Sequence, residues 1–275
     1  MASTKSVDEK AADSSSTKPK KEKIRTKTVI KYVYQNSPPP NNHSIIKRIK
    51  SGITNLDPLM EGGFREKSIT MVSGDAGSGK TIFAMQFLYE GLKNGECCIY
   101  LTFEEKKERL YENMAEFGWD FAAFEKDKKL FFLEYNPEQV KALIEEGGGT
   151  INQIISSQKI SRLVIDSIAS FSMLYQDQLS RKEAGLALFE LINAWGCTAV
   201  LTSGTVSRKS EPESSLLEFE VDGVILLYYF KEKGKRMRAI EILKMRGTKH
   251  GDATMGLEIT NHGLAVKSSQ IITSV

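Results

Sequence analysis

Short apolar segments alternate with amphipathic segments along the chain from Ser51 onward. The apolar segments are rich in β-branched and aromatic residues, which is typical of buried strands, and the amphipathic segments repeat apolar residues at helical spacing. Strands that alternate with helices predict a mostly parallel, twisted sheet with helices on its faces. We predict strands at residues 68–72, 97–102, 130–134, 163–166, 198–202, 223–229 and 239–244, and helices at 81–94, 106–117, 137–146, 150–158, 181–195 and 214–220.

The C-terminal part of the pattern differs because its strands follow each other without an intervening helix. Residues 223–229 and 239–244 are joined through the charged run 231–236, and two short strands, 257–260 and 263–266, are joined through Asn261 and His262. Strands with a short polar connection form antiparallel hairpins. The predicted fold class is therefore α/β, a mostly parallel sheet flanked by helices that ends in C-terminal antiparallel β-hairpins.

A glycine-rich segment lies between the first predicted strand and the first helix. In a phosphate loop at this place the backbone N–H groups bind a β-phosphate at the helix N-terminus, Lys80 reaches the β- and γ-phosphates, and the Thr81 hydroxyl binds Mg²⁺. The alternative is a glycine turn with an incidental Lys-Thr pair, which the flanking strand and helix disfavour. The segment fits G-x-x-x-x-G-K-[ST] at every fixed position and consists of Gly74, Asp75, Ala76, Gly77, Ser78, Gly79, Lys80 and Thr81.

Carboxylates follow two further predicted strands. Glu104 and Glu105 come after strand 97–102, and Asp166 ends strand 163–166. Ligands of open α/β sheets bind at the carboxyl ends of the strands, so these groups are candidates for nucleotide chemistry. Asp166 suits Mg²⁺, directly or through water, and a glutamate suits the polarisation of an attacking water. We favour Glu104 as this base because of its position at the strand end; adjacent glutamates that merely begin a helix are the alternative.

The N-terminal residues differ from the rest of the chain in charge and composition. Residues 1–50 carry a net charge of +8 and residues 51–275 a net charge of −5. Large apolar residues are missing before Ile24, so we predict a disordered basic tail at residues 1–27. Residues 28–34 are apolar and precede three prolines, which predicts an isolated strand and a Pro-rich linker over 28–50. Such a strand pairs with a sheet edge of its own subunit or of a neighbour.

Features that the sequence lacks limit the expected location of the protein and its other partners. No run approaches the roughly 18 apolar residues that cross a bilayer, and no secretory signal pattern occurs, so we expect a cytoplasmic protein without a membrane span. Cys97, Cys98 and Cys197 lack metal-ligand spacing and are predicted to be buried reduced thiols. The polar stretches 170–181 and 203–215 contain basic residues offset by acidic ones, so nucleic acid is a partner that we consider but do not favour.

Several motifs together resemble the KaiC-like branch of the RecA superfamily over about residues 51–266. The most diagnostic is the run from Lys244 to His250, which taken alone predicts only a basic surface turn. The motifs are Gly52-Ile-Thr-Asn-Leu-Asp57, Glu61-Gly-Gly-Phe64, Glu104-Glu105, the residues from Asn113 to Asp120, Asp166-Ser167, and Lys244-Met245-Arg246-Gly247-Thr248-Lys249-His250.

The resemblance implies a RecA-like ATPase domain at residues 51–275 that forms a homo-oligomeric ring, most often a hexamer, with ATP and Mg²⁺ between subunits. Lys244, Arg246 and His250 would then bind ATP held by the adjacent subunit, with Lys244 and Arg246 in the arginine-finger role. The acidic pair would be the catalytic glutamates. The implied activity is slow ATP hydrolysis that couples nucleotide state to the binding of a protein partner. Clock proteins of this family carry two such domains and this chain one, so autophosphorylation is not implied.

Two other functions fit parts of the sequence. A RadA-like recombination or repair paralogue would bind DNA through the polar loops and polymerise through the N-terminal strand, but residues 51–275 are mildly acidic. A FlaH-like scaffold would sense ATP with little turnover, but the paired glutamates and Arg246 suit an active site.

Overall fold

The computed structural model describes residues 46–172, 174–175, 177–204 and 215–273. The predicted tail, the strand 28–34, the prolines and the basic loop residues 205–214 lie outside these ranges. The strands are β1 (Arg48–Ile49), β2 (Phe64–Arg65), β3 (Ile69–Gly74), β4 (Cys97–Thr102), β5 (Leu130–Glu134), β6 (Ile160–Asp166), β7 (Thr198–Gly204), β8 (Gly223–Glu232), β9 (Lys235–Met245), β10 (Met255–Thr260) and β11 (Gly263–Ile271). The helices are α1 (Lys80–Lys93), α2 (Lys107–Ala115), α3 (Phe121–Lys126), α4 (Pro137–Glu145), α5 (Gly149–Gln158), α6 (Ile168–Ser172), α7 (Gln178–Trp195) and α8 (Ser215–Glu218), with a 3-10 turn at Asp57–Met60.

The main sheet of the described residues has nine strands in the order β11-β10-β9-β8-β3-β7-β6-β4-β5. The six strands from β8 to β5 are parallel to their neighbours, while β9, β10 and β11 add antiparallel pairs at one side. All six residues of β3 are buried, as expected for a parallel strand that is covered on both faces. The predicted α/β class with C-terminal antiparallel hairpins is confirmed.

Each face of the sheet buries its own apolar cluster. On one face Phe83 and Phe87 of α1 pack against Phe64, with the Phe64 and Phe87 ring centroids 5.4 Å apart. On the other face Leu188 of α7 and Ile155 of α5 belong to a second buried cluster. Two packed layers hold the strands in fixed register, so the residues at the strand ends have defined positions.

The predicted hairpin is present, but the predicted bounds of its loop, 231–236, are wrong. β8 continues to Glu232 and β9 begins at Lys235, which leaves Lys233 and Gly234 as a two-residue turn with positive φ angles of 47° and 82°. A two-residue turn of this kind matches the twist of paired strands, so the ladder continues beyond the apolar part of the sequence. Its charged residues face solvent, and this is why the hydrophobic pattern ended too early.

The polar connection expected at residues 170–181 is also largely helical in its described part. α6 ends at Ser172, and α7 begins at Gln178, three residues before the predicted start. The Asp177 side chain accepts a hydrogen bond from the Ser180 N–H and caps the first turn of α7. The short elements β1, β2, α3, α6 and the 3-10 turn were not predicted because they span too few residues to show a period.

The folded unit includes residues that we expected in the N-terminal linker. β1 pairs with β2 in an antiparallel register, Arg48 opposite Arg65 and Ile49 opposite Phe64. The Arg48 guanidinium donates to the Thr248 hydroxyl at 2.8 Å. Arg48 and Ile49 are therefore structurally continuous with the domain that we expected to begin at Ser51.

Two further expectations concern the burial of the cysteine thiols and the lack of a membrane-spanning helix. Cys98 and Cys197 are buried and Cys97 is half-buried, and all three are free. Burial raises the pKa of Cys197 to about 11, which keeps this thiol protonated and unreactive at neutral pH. None of the helices in the described ranges has the length and apolar character that a bilayer span requires.

Candidate functional site

The loop between β3 and α1 needs glycine at several of its pattern positions. Gly77 and Gly79 have φ angles of 80° and 109°, in the left-handed region that side chains disfavour. A Cβ atom at Gly74 would collide with the backbone carbonyl of Leu227. Ser78 Oγ is the buried side-chain polar atom of the described residues that has no hydrogen-bond partner. This loop has the glycine-dependent shape and the helix N-terminus that phosphate binding requires.

Lys80 is folded back over this loop. Its Nζ donates to the carbonyl oxygens of Gly74 at 2.7 Å and Asp75 at 3.0 Å. Burial lowers the pKa of Lys80, and the charges of Asp166 and Asp75 oppose this shift. Neutral carbonyl oxygens are weaker partners for an ammonium group than a phosphate, so an anion in the loop would compete well for Lys80.

Asp166, at the end of β6, accepts hydrogen bonds from three hydroxyl groups. Thr81 and Tyr100 donate to Oδ2 at 2.9 and 2.8 Å, and Thr202 donates to Oδ1. The register that pairs Thr102 with Asp166 brings the ends of β4 and β6 together, and Asp166 is only 8% exposed. The two residues predicted to serve Mg²⁺, Thr81 and Asp166, are thus in direct contact.

The two glutamates after β4 differ in their exposure and contacts. The backbone N–H groups of Glu104 and Glu105 donate to Thr102 Oγ1 at 3.3 and 3.1 Å, and this turns the chain at the strand end. Glu104 is exposed and accepts a hydrogen bond from Ser170 of α6. Glu105 is half-buried, and its charge contributes, after burial and Asp166, to the raised pKa of Tyr100. The Glu104 carboxylate is thus bonded to α6, and the Glu105 charge acts on the Tyr100–Asp166 pair.

Lys244 and Arg246 lie at the opposite end of the parallel strands. Gly74 pairs with Leu227 of β8, whereas Lys244 pairs with Val224 and Met245 with Gly223. Three to four residues of strand separate these levels, a distance of about 10–13 Å along the strand. The structure does not bring Lys244 and Arg246 to the phosphate loop of their own chain.

Both cationic side chains are bonded to carbonyl oxygens at the C-terminal end of α8 and just after it. Lys244 Nζ donates to Glu218 and Phe219, each at 3.0 Å, and Arg246 donates to Phe219 at 2.7 Å and Glu220 at 3.2 Å. Burial and the Arg246 charge lower the pKa of Lys244. 

His250 lies in the connection between β9 and β10, and its Nδ1 is 2.9 Å from the carbonyl oxygen of Gly251. It is half-buried. It follows Met245, the last residue of β9, which pairs with Gly223 of β8.

A second cation beside the loop was missed from the sequence. Arg238 Nε donates to the carbonyl oxygen of Gly77 at 2.9 Å, and its guanidinium carbon lies 4.5 Å from the centre of the Tyr229 ring. Arg236 lies 5.1 Å from the same ring centre. The signal was the two-residue spacing of these arginines, which places both on one face of β9.

The described residues hold no cluster of three or more His, Cys, Asp and Glu that would bind a metal by itself. A cation at Thr81 and Asp166 would need further oxygens from a nucleotide or from water. That donor set fits Mg²⁺, which is usually bound by one or two protein oxygens together with phosphates and water.

Comparisons with known proteins find similar chains over most of the described residues. The family model described as "ATPase: KaiC" matches residues 49–271. The circadian clock protein KaiC3 of a Synechocystis strain is 34% identical over 224 residues, which cover 78% of this chain and 44% of that protein. A UPF0273 protein of Thermotoga maritima is 30% identical over 239 residues, which cover 82% of this chain and 98% of that protein.

A solved structure extends the similarity to three dimensions. The crystal structure of a KaiC-like protein from Pyrococcus horikoshii is 33% identical in sequence and superposes with a TM-score of 0.71, over 80% of this chain and 99% of that one. This chain thus spans about half the length of the first clock-protein relatives but nearly the whole of the shorter ones.

Proposed function

This chain belongs to the KaiC family of ATPases, and on that premise we propose that it binds ATP with Mg²⁺ at the phosphate loop and hydrolyses it slowly at sites shared between subunits. The observation that carries the proposal is the hydrogen bond between Thr81 and Asp166 directly beside the glycine-rich loop. It joins the two protein groups that a Mg²⁺–nucleotide site of this kind requires.

Residues 74–81 and Lys80 would hold the phosphates, and Thr81 and Asp166 would hold the cation. Bound Mg²⁺ would neutralise charge on the phosphate oxygens. Lys80 would leave the carbonyl oxygens of Gly74 and Asp75 for the β- and γ-phosphates. Arg238, bonded to Gly77, would add positive charge on the hairpin side of the loop.

Glu105 is the better candidate for the group that polarises the attacking water. From the sequence we favoured Glu104, but the carboxylate of Glu104 is bonded to Ser170 and exposed. Glu105 lies near Tyr100, which is bonded to Asp166. A base must be within reach of the water next to the γ-phosphate, and Glu105 would be the group that meets this requirement.

Lys244 and Arg246 would act on ATP bound to the adjacent subunit, and His250 would line the same interface. Their position at the far end of the strands supports this because they do not reach their own loop. Two large apolar side chains beside them are exposed, Phe219 at 71% and Leu243 at 48%. Apolar side chains next to exposed cations suit contact with a second copy of the chain. We propose a homo-oligomeric ring, with a hexamer as the favoured size and a protein partner that responds to nucleotide state.

The two alternatives rank lower. A DNA-binding recombination or repair paralogue would use polar loops, but the described part of 170–181 is largely helical and residues 51–275 are mildly acidic. An ATP-sensing scaffold would need no turnover, yet Glu105, Lys80 and Asp166 are all present at the carboxyl edge. A cytoplasmic location and the N-terminal tail and strand stay predictions from the sequence.

The test combines particle mass with ATP turnover on the full chain. We expect the mass to rise from monomer to ring on addition of ATP and Mg²⁺, and the rate per subunit to rise with protein concentration over the same range. The Lys80→Ala variant should neither assemble with ATP nor hydrolyse it. Undiminished turnover by a verified monomer would disprove the shared site, and ATP-dependent assembly without hydrolysis would favour the scaffold.

A further inference from the structure

Asp166 is held from inside the sheet by two hydroxyl groups that the nucleotide would not touch. Tyr100 and Thr202 are both fully buried, on β4 and β7 at the two sides of β6. The Tyr100 ring is stacked on Phe132 with ring centroids 5.2 Å apart, so its hydroxyl group has little freedom to move. Thr81, the third donor, is half-buried and belongs to the loop end of α1.

The three bonds divide unequally between the carboxylate oxygens. Oδ2 accepts from Thr81 and Tyr100, and Oδ1 accepts from Thr202. An ionised carboxylate has about four acceptor positions, so these donors fill most of them and fix the rotation of the group.

We propose that Tyr100 and Thr202 are positioning residues that orient Asp166 for a divalent cation without contacting the cation or the nucleotide themselves. The inference rests on the proposed function, because it assigns the cation to Thr81 and Asp166. Partners that orient a metal-binding group typically change metal affinity by about 10–100-fold when they are removed.

A merely structural role makes a different prediction. If the two hydroxyl groups only satisfied a buried charge, their loss would weaken folding and would disturb nucleotide binding equally with and without metal. If they orient Asp166, their loss weakens binding of the metal specifically. Nucleotide affinity in the presence of a chelator then stays the same, because Lys80 and the loop are unchanged.

The experiment measures binding of Mn²⁺ by electron paramagnetic resonance, with the full chain and a non-hydrolysable ATP analogue. Tyr100→Phe and Thr202→Val each remove one hydroxyl group, and we expect Mn²⁺ affinity to fall by about tenfold. Thr202→Ser keeps the hydroxyl group and should restore affinity to within about twofold. The matched control is Tyr111→Phe, since the Tyr111 hydroxyl donates to Glu125 instead.

The possible outcomes distinguish an orienting role of the two hydroxyl groups from a merely structural one. Unchanged Mn²⁺ affinity in Tyr100→Phe and Thr202→Val, with normal binding by the wild type, overturns the inference alone. Equal loss of analogue affinity with and without chelator also overturns it and indicates a structural role. A wild-type protein that binds neither analogue nor Mn²⁺ with the analogue disproves the proposed function itself and this inference with it. If Tyr100→Phe does not fold, the Thr202→Val and Thr202→Ser pair makes the same test.

Discussion

The two ends of the parallel strands carry charge in different ways. At the carboxyl end Asp166 is 8% exposed, and three hydroxyl groups of its own chain donate to it. At the amino end the Arg246 side chain is 50% exposed and bonded mainly to backbone carbonyl oxygens, with Asp222 no closer than 4.0 Å. The charge at the carboxyl end is hydrogen-bonded by groups of the same chain, whereas the positive charge at the amino end is largely exposed.

This difference follows from the cost of burying charge. A carboxylate inside a sheet must have donors, so the chain supplies them wherever it folds. An exposed guanidinium on carbonyl oxygens loses little when it moves to a phosphate, because a charge-assisted bond replaces neutral ones. Under the proposed function, the carboxyl end would be one half of a nucleotide site and the amino end would complete the site of a neighbouring subunit.

The largest effect on ATP turnover is expected at Arg246, at the amino end of the strands. Arg246→Ala should lower ATP turnover by about 10³-fold, since an arginine that stabilises the phosphoryl-transfer transition state is worth at least that much. Mixing Arg246→Ala with Glu105→Gln subunits, which keep ATP binding, should restore about a quarter of wild-type turnover, because a random closed ring places an intact Glu105 beside an intact Arg246 of the neighbour at that fraction of its interfaces. Steady-state ATP hydrolysis by the single and mixed samples measures this.

The control for this experiment is Arg109→Ala, which removes an exposed arginine on α2 and should leave turnover unchanged. No recovery in a mixture whose co-assembly has been verified by mass would mean that Arg246 serves its own chain. That result would contradict the division of the site between two subunits.

A smaller effect on ATP hydrolysis should distinguish the two glutamates at the carboxyl end. Glu105→Gln should lower single-turnover ATP hydrolysis by about 10²-fold, the usual contribution of a general base, while ATP affinity is kept. Glu104→Gln, the matched variant one residue away, should change the rate by less than about threefold because its carboxylate is turned toward Ser170. The reverse order of the two effects would support Glu104, as the sequence alone suggested.

The smallest effect on activity is expected at the amino end, where an ion pair stabilises the fold. Arg162 is fully buried and donates to Glu96 from Nε at 2.8 Å and from a terminal nitrogen at 2.9 Å. Burial raises the pKa of Glu96, but hydrogen bonds from Arg162 and Ser161 outweigh it and hold the pKa below its usual value. Removing this charge should affect folding and leave the phosphate loop intact.

Glu96→Gln should lower the free energy of unfolding at pH 7 by about 1–2 kcal/mol, less than for a fully buried pair because Glu96 is partly exposed. Because the folded-state pKa is depressed, the contribution of Glu96 is present above the usual pKa of a glutamate, about 4.3, and is lost as the pH falls through the lower folded value. Denaturant unfolding at several pH values measures the difference between the variant and the wild type.

The matched control is Glu66→Gln, which removes an exposed partner of Lys47 and should change stability by less than about 0.5 kcal/mol. Turnover should be unchanged in both variants. A Glu96→Gln protein that lost ATP binding while still folded would show that the amino end is coupled to the phosphate loop.

The sequence by itself predicted the part of the candidate site that is local in the chain. The loop residues 74–81, Lys80 and Thr81 are contiguous, and glycine positions with a following helix are a pattern that needs no tertiary contact to be read. Asp166 and the α/β class also follow from the sequence, because apolar strands and their polar ends are spaced along it. The family resemblance then pointed to Lys244, Arg246 and His250.

Only the tertiary structure decided which distant groups meet. Strand order brings Tyr100 and Thr202 to Asp166. The register places Arg238 against Gly77 and Arg246 at the far edge. A sequence pattern gives the face of a strand but not its neighbour in the sheet or the rotation of a turn. Those depend on packing between residues far apart in the chain, and for that reason the carboxyl and the amino ends of the strands became distinct only in three dimensions.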